Sequence, residues 1–354
     1  MSSLQMGLWI LGGLVVLGVW LYNRWLTRRL QPKRSIAPES TALEPGETTR
    51  EGGLPSLDER LDPVMDGPTT EAMAPSVTAG KPAVLDPMLD TMVPLSLEHG
   101  VVSGDAVLAA LPGTRRVGSK SFVVEGLNIA LDAWEAPRAG QRYNALRAGI
   151  QLASRAGALN DIEFSEFVVK VQGFADVVGA APEFPEMLDE VTRARELDQF
   201  ASAHDAQLGF TLRARRASWS PGYLNQHAAA CGFVAGALPG RMVLPSDVPG
   251  APPVLVLQYE TQLALAEDPE QVALREFHLT LDVPHVAREE RPFVRMREMA
   301  QRFADTMEGV VTDGSRPLGP DDLDRIGSEL EVLYDALTER GLPAGAPLTR
   351  RLFN

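Results

Sequence analysis

Residues 208–215 read LGFTLRAR. Leu208, Phe210, Leu212 and Ala214 fall on one side of an extended chain and the intervening residues on the other. That period of two is the mark of a half-buried strand. Toward the C-terminus the pattern continues with Pro221 to Cys231 as a short helix, ended by Gly232. Met242 to Leu244 and Val254 to Tyr259 read as strands. Phe277 to Val283 (FHLTLDV) alternates and stops at Pro284, with Phe277, Leu279 and Leu281 toward a core and His278, Thr280 and Asp282 outward. Pro292 starts a helix with the stripe Phe293, Met296, Ala300, Phe303 and Met307. Gly309 to Asp313 is a short strand and turn. Pro320 starts a last helix, with Asp321 and Asp322 complementing its dipole, the stripe Leu323, Ile326, Leu330, Leu333 and Leu337, and Gly341 at its end. The fold class expected for residues 205–345 is α+β.

Toward the N-terminus, residues 115–204 read as an accessory α+β region. Phe122 to Gly126 is expected as a strand. Gln141 to Ala156 is expected as a helix, with Tyr143, Leu146, Ile150 and Ala153 on one stripe. Ile162 to Val171 (IEFSEFVVKV) is expected as a strand and Pro185 to Ala203 as an amphipathic helix. A faint echo joins the two halves: Trp134, Pro137 and Tyr143 precede a helix and a strand, as do Trp219, Pro221 and Tyr223. Residues 35–114 are expected to be a disordered linker, because proline recurs among Glu, Thr, Gly and Ser and aromatics are absent; for its less polar second half, Val84 to Leu89 and Val101 to Leu111, the alternative is a short recognition element or one or two helical turns. Such a tract buries too little apolar surface to offset its ordering entropy.

Residues 1–34 read as a membrane anchor. Met6 to Tyr22 (MGLWILGGLVVLGVWLY) is uncharged and mostly apolar, a length that just crosses a hydrocarbon core of ~30 Å. Trp9, Trp20, Tyr22 and Trp25 are its aromatics. Arg24, Arg28 and Arg29, with Lys33 and Arg34, form a basic collar on the cytoplasmic side. A cleaved signal peptide would carry its charge before the apolar run and small residues after it; here both are reversed. The expected location is therefore the bacterial inner membrane, single-pass, with a periplasmic N-terminus and a cytoplasmic body.

The 354 residues carry a net charge of −14. With the collar set aside, 28 basic side chains face 47 acidic ones, a net of −19. So acidic a body argues against nucleic acid, whose binding depends on neutralising phosphate. The lone Cys231 excludes an intrachain disulfide and sits in a small apolar helix. Gly113 to Lys120 (GTRRVGSK) imitates a phosphate loop, but its last two residues are reversed and a strand follows where a helix should. His99, His204, His227, His278 and His285 stand at no metal-ligand spacing, and no Gly-x-Ser-x-Gly elbow is present. No catalytic residue, metal or cofactor is expected, and the chain reads as a non-enzyme.

The order of parts (anchor, collar, acidic proline-rich linker, α+β body) resembles ZipA, the family of bacterial division proteins that tether the tubulin-like FtsZ to the inner membrane. The local likeness lies in Leu208 to Gly222 (LGFTLRARRASWSPG), Gly232-Phe233, Phe277 to Pro284 (FHLTLDVP), Phe303 to Gly314 (FADTMEGVVTDG) and Leu318 to Arg325 (LGPDDLDR). The resemblance implies an antiparallel sheet covered by helices on one face, whose other face is a shallow apolar groove for the C-terminal tail of FtsZ. It implies a place at the division septum, with other division proteins as further partners. Carried over residue by residue, it assigns the groove to Leu212, Met242, Leu244, Tyr259, Thr261, His278 and Thr280. Leu212 thus has two assignments, core by alternation and groove by resemblance. The family has a phenylalanine where Thr280 aligns. The alternative function is a scaffold of another envelope complex that docks through residues 115–204.

Overall fold

In the computed structural model, residues 84–314 and 316–354 are described. They form two α+β lobes with antiparallel sheets. The anchor expected at residues 1–34, with its aromatics and collar, and most of the expected linker lie outside the described residues. Among those described, no helix is long and apolar enough to cross a membrane.

The first lobe holds β1 (Asp90–Leu97), β2 (Val102–Ser103), α1 (Gly104–Ala110), β3 (Arg116–Val117), β4 (Lys120–Asn128), β5 (Ala133–Glu135), β6 (Arg142–Gln151), a small hairpin of β7 (Ala153–Ser154) and β8 (Gly157–Ala158), α2 (Asp161–Val178), β9 (Ala180–Pro182) and α3 (Met187–His204). The second holds β10 (Gln207–Ala214), α4 (Pro221–Ala230), β11 (Val234–Ala235), β12 (Arg241–Leu244), β13 (Leu255–Gln258), α5 (Thr261–Ala264), β14 (Glu276–Asp282), α6 (Pro292–Thr306), β15 (Gly309–Asp313), β16 (Arg316–Pro317) and α7 (Pro320–Glu339), followed by α8 (Pro347–Leu352).

The sheets repeat one plan. Across the first, the main path is β3-β4-β6-β1-β9; across the second, β12-β13-β14-β10-β15 lie in the same relative order. Register agrees too. Ala148 pairs with Val93 and Val124 in the first lobe, as Leu279 pairs with Phe210 and Leu257 in the second. The Trp134 and Trp219 echo is not this correspondence, because Trp134 lies on β5 whereas Trp219 lies beyond the end of β10.

Three expectations fail in the first lobe. The expected linker (35–114) contains β1, which lies between β6 and β9 and buries Val93 and Leu95 completely or nearly so. The apolar partners of β1 come from sequence-distant strands, so the lower polarity of this part of the tract did not place it in a core; the helical turns allowed at Val101 to Leu111 are found as α1. The expected helix over 141–156 is mainly strand β6. A bulge opposite Leu127 and Asn128 inserts Asn144 between Tyr143, which pairs with Asn128, and Ala145, which pairs with Leu127. The bulge brings Tyr143 and Leu146 to the same core at a spacing of three, which imitates a helical stripe. The expected strand over 162–171 is the start of α2. Asn160 caps that helix, accepting hydrogen bonds from the Ile162 and Glu163 amides at 3.0 Å each, while Glu163 answers the Asn160 amide. Phe164, Phe167, Val171 and Phe174 form its buried stripe, while Ile162, Val169 and Val177 point to solvent. Those exposed apolar residues made the segment look strand-like. We expect Asn160→Ala to cost about 1–2 kcal/mol, read as a fall in urea midpoint at unchanged m-value; an unchanged midpoint would show the cap to be idle.

The second lobe follows the reading closely at β10, α4, β12 to β15, α6 and α7. The expected boundary at 345 does not divide the lobes. Leu330 and Tyr334 of α7 enter the second core, whereas Leu337, Leu342, Leu352 and Phe353 complete the first. The C-terminal residues therefore pack back on the first lobe.

Candidate functional site

The second sheet has one covered face. Phe277, Leu279 and Leu281 of β14 pack with Phe210 and Leu212 of β10 under Met296 and Phe303 of α6. The opposite face carries Gly209, Thr211, Val243, Val256, Gln258, His278 and Thr280. Toward one end of it, beside Arg155 of the first lobe, a hollow of about 560 Å³ opens over the cross-strand pair Gly209 and Thr280, with Val256, Arg241 and Pro253 in its lining. Glycine makes the hollow: a methyl at Gly209 would meet only Thr280 Cγ2, at 4.0 Å, and any larger side chain would rise into the space. Thr280 Oγ1 donates to the Val256 carbonyl at 3.3 Å, and Thr211 Oγ1 lies 3.1 Å from His278 Nδ1.

One rim of the hollow is charged and joins the lobes. Arg155, at the tip of the β7–β8 hairpin, forks onto both oxygens of Asp205 (2.6 and 2.9 Å) and both of Asp282 (2.8 Å each). His285 Nδ1 stands 2.9 Å from Asp282 Oδ1. Burial works against the Asp282 carboxylate, yet His285 and Arg155 outweigh it and hold its pKa below the ordinary value. On this rim Arg155 is thus already paired with both carboxylates, and Arg241 also lines the hollow.

The expected groove residues separate. His278 and Thr280 stand exposed on the open face. Leu212, Met242, Leu244 and Tyr259 are buried on the opposite face, in the core. Thr261 is not on a strand; it starts the single turn of α5. The cause is strand phase. Met242-Val243-Leu244 and Leu255-Val256-Leu257 are apolar throughout, so alternation cannot show which residues face inward. Pairing with β14 decides it: Leu257 sits against Leu279 on the covered face, and Met242 against Leu257, leaving Val256 and Val243 outside. Gly209, Val243 and Val256 were missed; a glycine within the LGFTL strand was the available signal.

A larger cleft, about 1220 Å³, lies on the helix side between α6 and α7 and is lined by Phe293, Leu323, Gly327 and Tyr334. Ion pairs from Arg288 to Glu331 and Asp335, and from Arg297 to Asp324, tie its two walls together. The buried Tyr334 hydroxyl has no protein hydrogen-bond partner among the described residues, and burial raises its pKa. Also among the described residues, no three His, Cys, Asp or Glu side chains converge as a metal site would need. No protein-family model and no curated protein matches this chain.

Proposed function

We propose that this chain is a non-enzymatic, membrane-anchored adaptor that tethers the FtsZ polymer to the inner membrane, and that the open face of the second sheet takes the FtsZ C-terminal tail. The observation that carries the reading is the hollow over Gly209 and Thr280 on a sheet whose other face is fully covered. A recess with Leu208, Val254 and Val256 in its lining and the charged groups Arg155, Arg241 and Asp282 around it suits an amphipathic peptide anchored by a few apolar side chains. The apolar run at Met6 to Tyr22 and its basic collar support the tether.

The test is binding of a labelled FtsZ tail peptide to the full chain in detergent micelles. Affinity in the micromolar range is expected. Val256→Asp should weaken it at least tenfold by putting a charge on the recess floor. Thr280→Phe should tighten it by about tenfold, the 1.4 kcal/mol that an added aromatic contact readily contributes. If neither wild type nor Thr280→Phe bound at millimolar peptide, the groove would have to be abandoned. The alternative, a scaffold of another envelope complex docking through the first lobe, is favoured by one observation: that lobe already holds a segment outside any helix or strand, Val84 and Leu85, on its sheet. A Val256→Asp protein that still gathers at midcell would favour the scaffold.

A further inference from the structure

The repeated plan allows the two outer sheet faces to be compared position by position. Gly209 and Thr280 form a cross-strand pair in the second lobe; the same place in the first is taken by Met92 and Gly149. Each pair contains one glycine, but on opposite strands. In the second lobe the resulting hollow is open. In the first it is filled by Leu85, whose methyls come within 2.4 and 2.9 Å of where a Cβ on Gly149 would stand. Leu85 is only 7% exposed although it lies in no helix or strand.

The grip on this segment is that of a peptide site. Glu125, on β4 and 1% exposed, accepts hydrogen bonds from the backbone amides of both Val84 and Leu85, the latter at 2.9 Å. Arg147 fixes the other carboxylate oxygen through Nε and Nη2, at 2.9 and 2.7 Å. Arg351, from α8, donates to the Val84 carbonyl at 2.5 Å and to Asp90 at 2.6 Å. Two backbone donors, one backbone acceptor and one apolar side chain are thus recognised. Beyond the strap the same face stays open, with Pro94 and Ser96 exposed.

We propose that the outer face of the first sheet is a second peptide-docking cleft, closed in cis by Val84 and Leu85. Its ligand class is a short, turn-like segment that offers two successive N–H groups to the same Glu125 oxygen and a leucine-sized side chain to the hollow over Gly149. The strap joins β1 through a few residues, so its effective concentration is on the order of millimolar, and a weak peptide in trans cannot displace it unaided. The proposal is independent of the FtsZ groove, which lies on the other lobe.

The experiment uses the full chain in micelles and a fluorescein-labelled peptide of residues 81–89 (KPAVLDPML). Leu85→Asp, which expels the strap, should bind the peptide saturably and at least about tenfold more tightly than wild type. A peptide carrying aspartate at the Leu85 position should not bind. Gly149→Ala in the Leu85→Asp background should abolish binding, because its methyl occupies the hollow. Should Leu85→Asp lose its cooperative thermal transition, the milder Leu85→Ala replaces it with the same expectation at reduced amplitude. Absence of saturable binding in every folded strap variant would overturn the proposal, as would binding indifferent to Gly149→Ala.

Discussion

Arg351→Ala is expected to destabilise the protein by about 3–5 kcal/mol at neutral pH, the usual cost of stripping a buried carboxylate of its partner. Asp90 is 2% exposed, and burial already pushes its pKa above the ordinary carboxylate value; Arg351 opposes that rise. Without the guanidinium, Asp90 keeps its amide donor, Asp86, at 2.8 Å but loses its counter-charge. Its folded-state pKa must then climb further above the unfolded value of ~3.9. A group raised in this way favours folding below the unfolded pKa and loses that benefit as pH rises through the folded one. The penalty should therefore be largest near pH 7.5 and shrink as pH falls toward 4. Urea titrations of variant and wild type at several pH values measure it. A penalty constant across that range would mean that Asp90 is not the group responsible. Since whole domains are stable by only about 5–15 kcal/mol, the variant should sit near the edge of folding at physiological pH.

Trp219→Ala should cost about 3–5 kcal/mol through the cavity it leaves. The indole is fully buried at the exit of β10, 5.5 Å from the Phe277 ring, and its Nε1 donates to the Met307 carbonyl at 2.8 Å. Gly309 lies under the ring, where an added methyl would approach to 3.3 Å. One side chain thus joins β10, β14 and the turn into β15, the strands that carry the candidate groove. Trp219→Phe, which keeps an aromatic ring but orphans the Met307 carbonyl, should lose only part of that, with at least the ~1–3 kcal/mol of an unmade buried hydrogen bond. Equal losses in the two variants would show that volume is not what the tryptophan supplies. Denaturant unfolding followed by tyrosine fluorescence and circular dichroism separates them.

How far each lobe could be read from residues follows from how its apolar positions are spaced. LGFTLRAR and FHLTLDV alternate because their strands have one dry and one wet face. Pro292 and Pro320 announce helices because a first-turn proline loses no hydrogen bond. In the first lobe the same logic misleads. The Asn144 bulge gives β6 a helical spacing, and solvent-facing Ile162 and Val169 blur the stripe of α2. Asn160 with Glu163 three residues on is the local signal that marks the start of this helix, and the strand assignment passed over it.

The amino-acid order by itself determined the α+β class, the outward placement of His278 and Thr280, and the core placement of Phe277, Leu279 and Leu281, because all three rest on local periodicity. Which face Met242, Leu244 and Tyr259 occupy was decided by tertiary structure, since uniformly apolar strands take their phase from the neighbour they pair with. The same holds for β1 inside a proline-rich tract, for Leu85 seated over Gly149, and for Arg351 reaching Asp90 across 261 residues of sequence. Each depends on a partner distant in sequence, and hydrogen bonds and packing between such partners exist only once the chain has closed on itself.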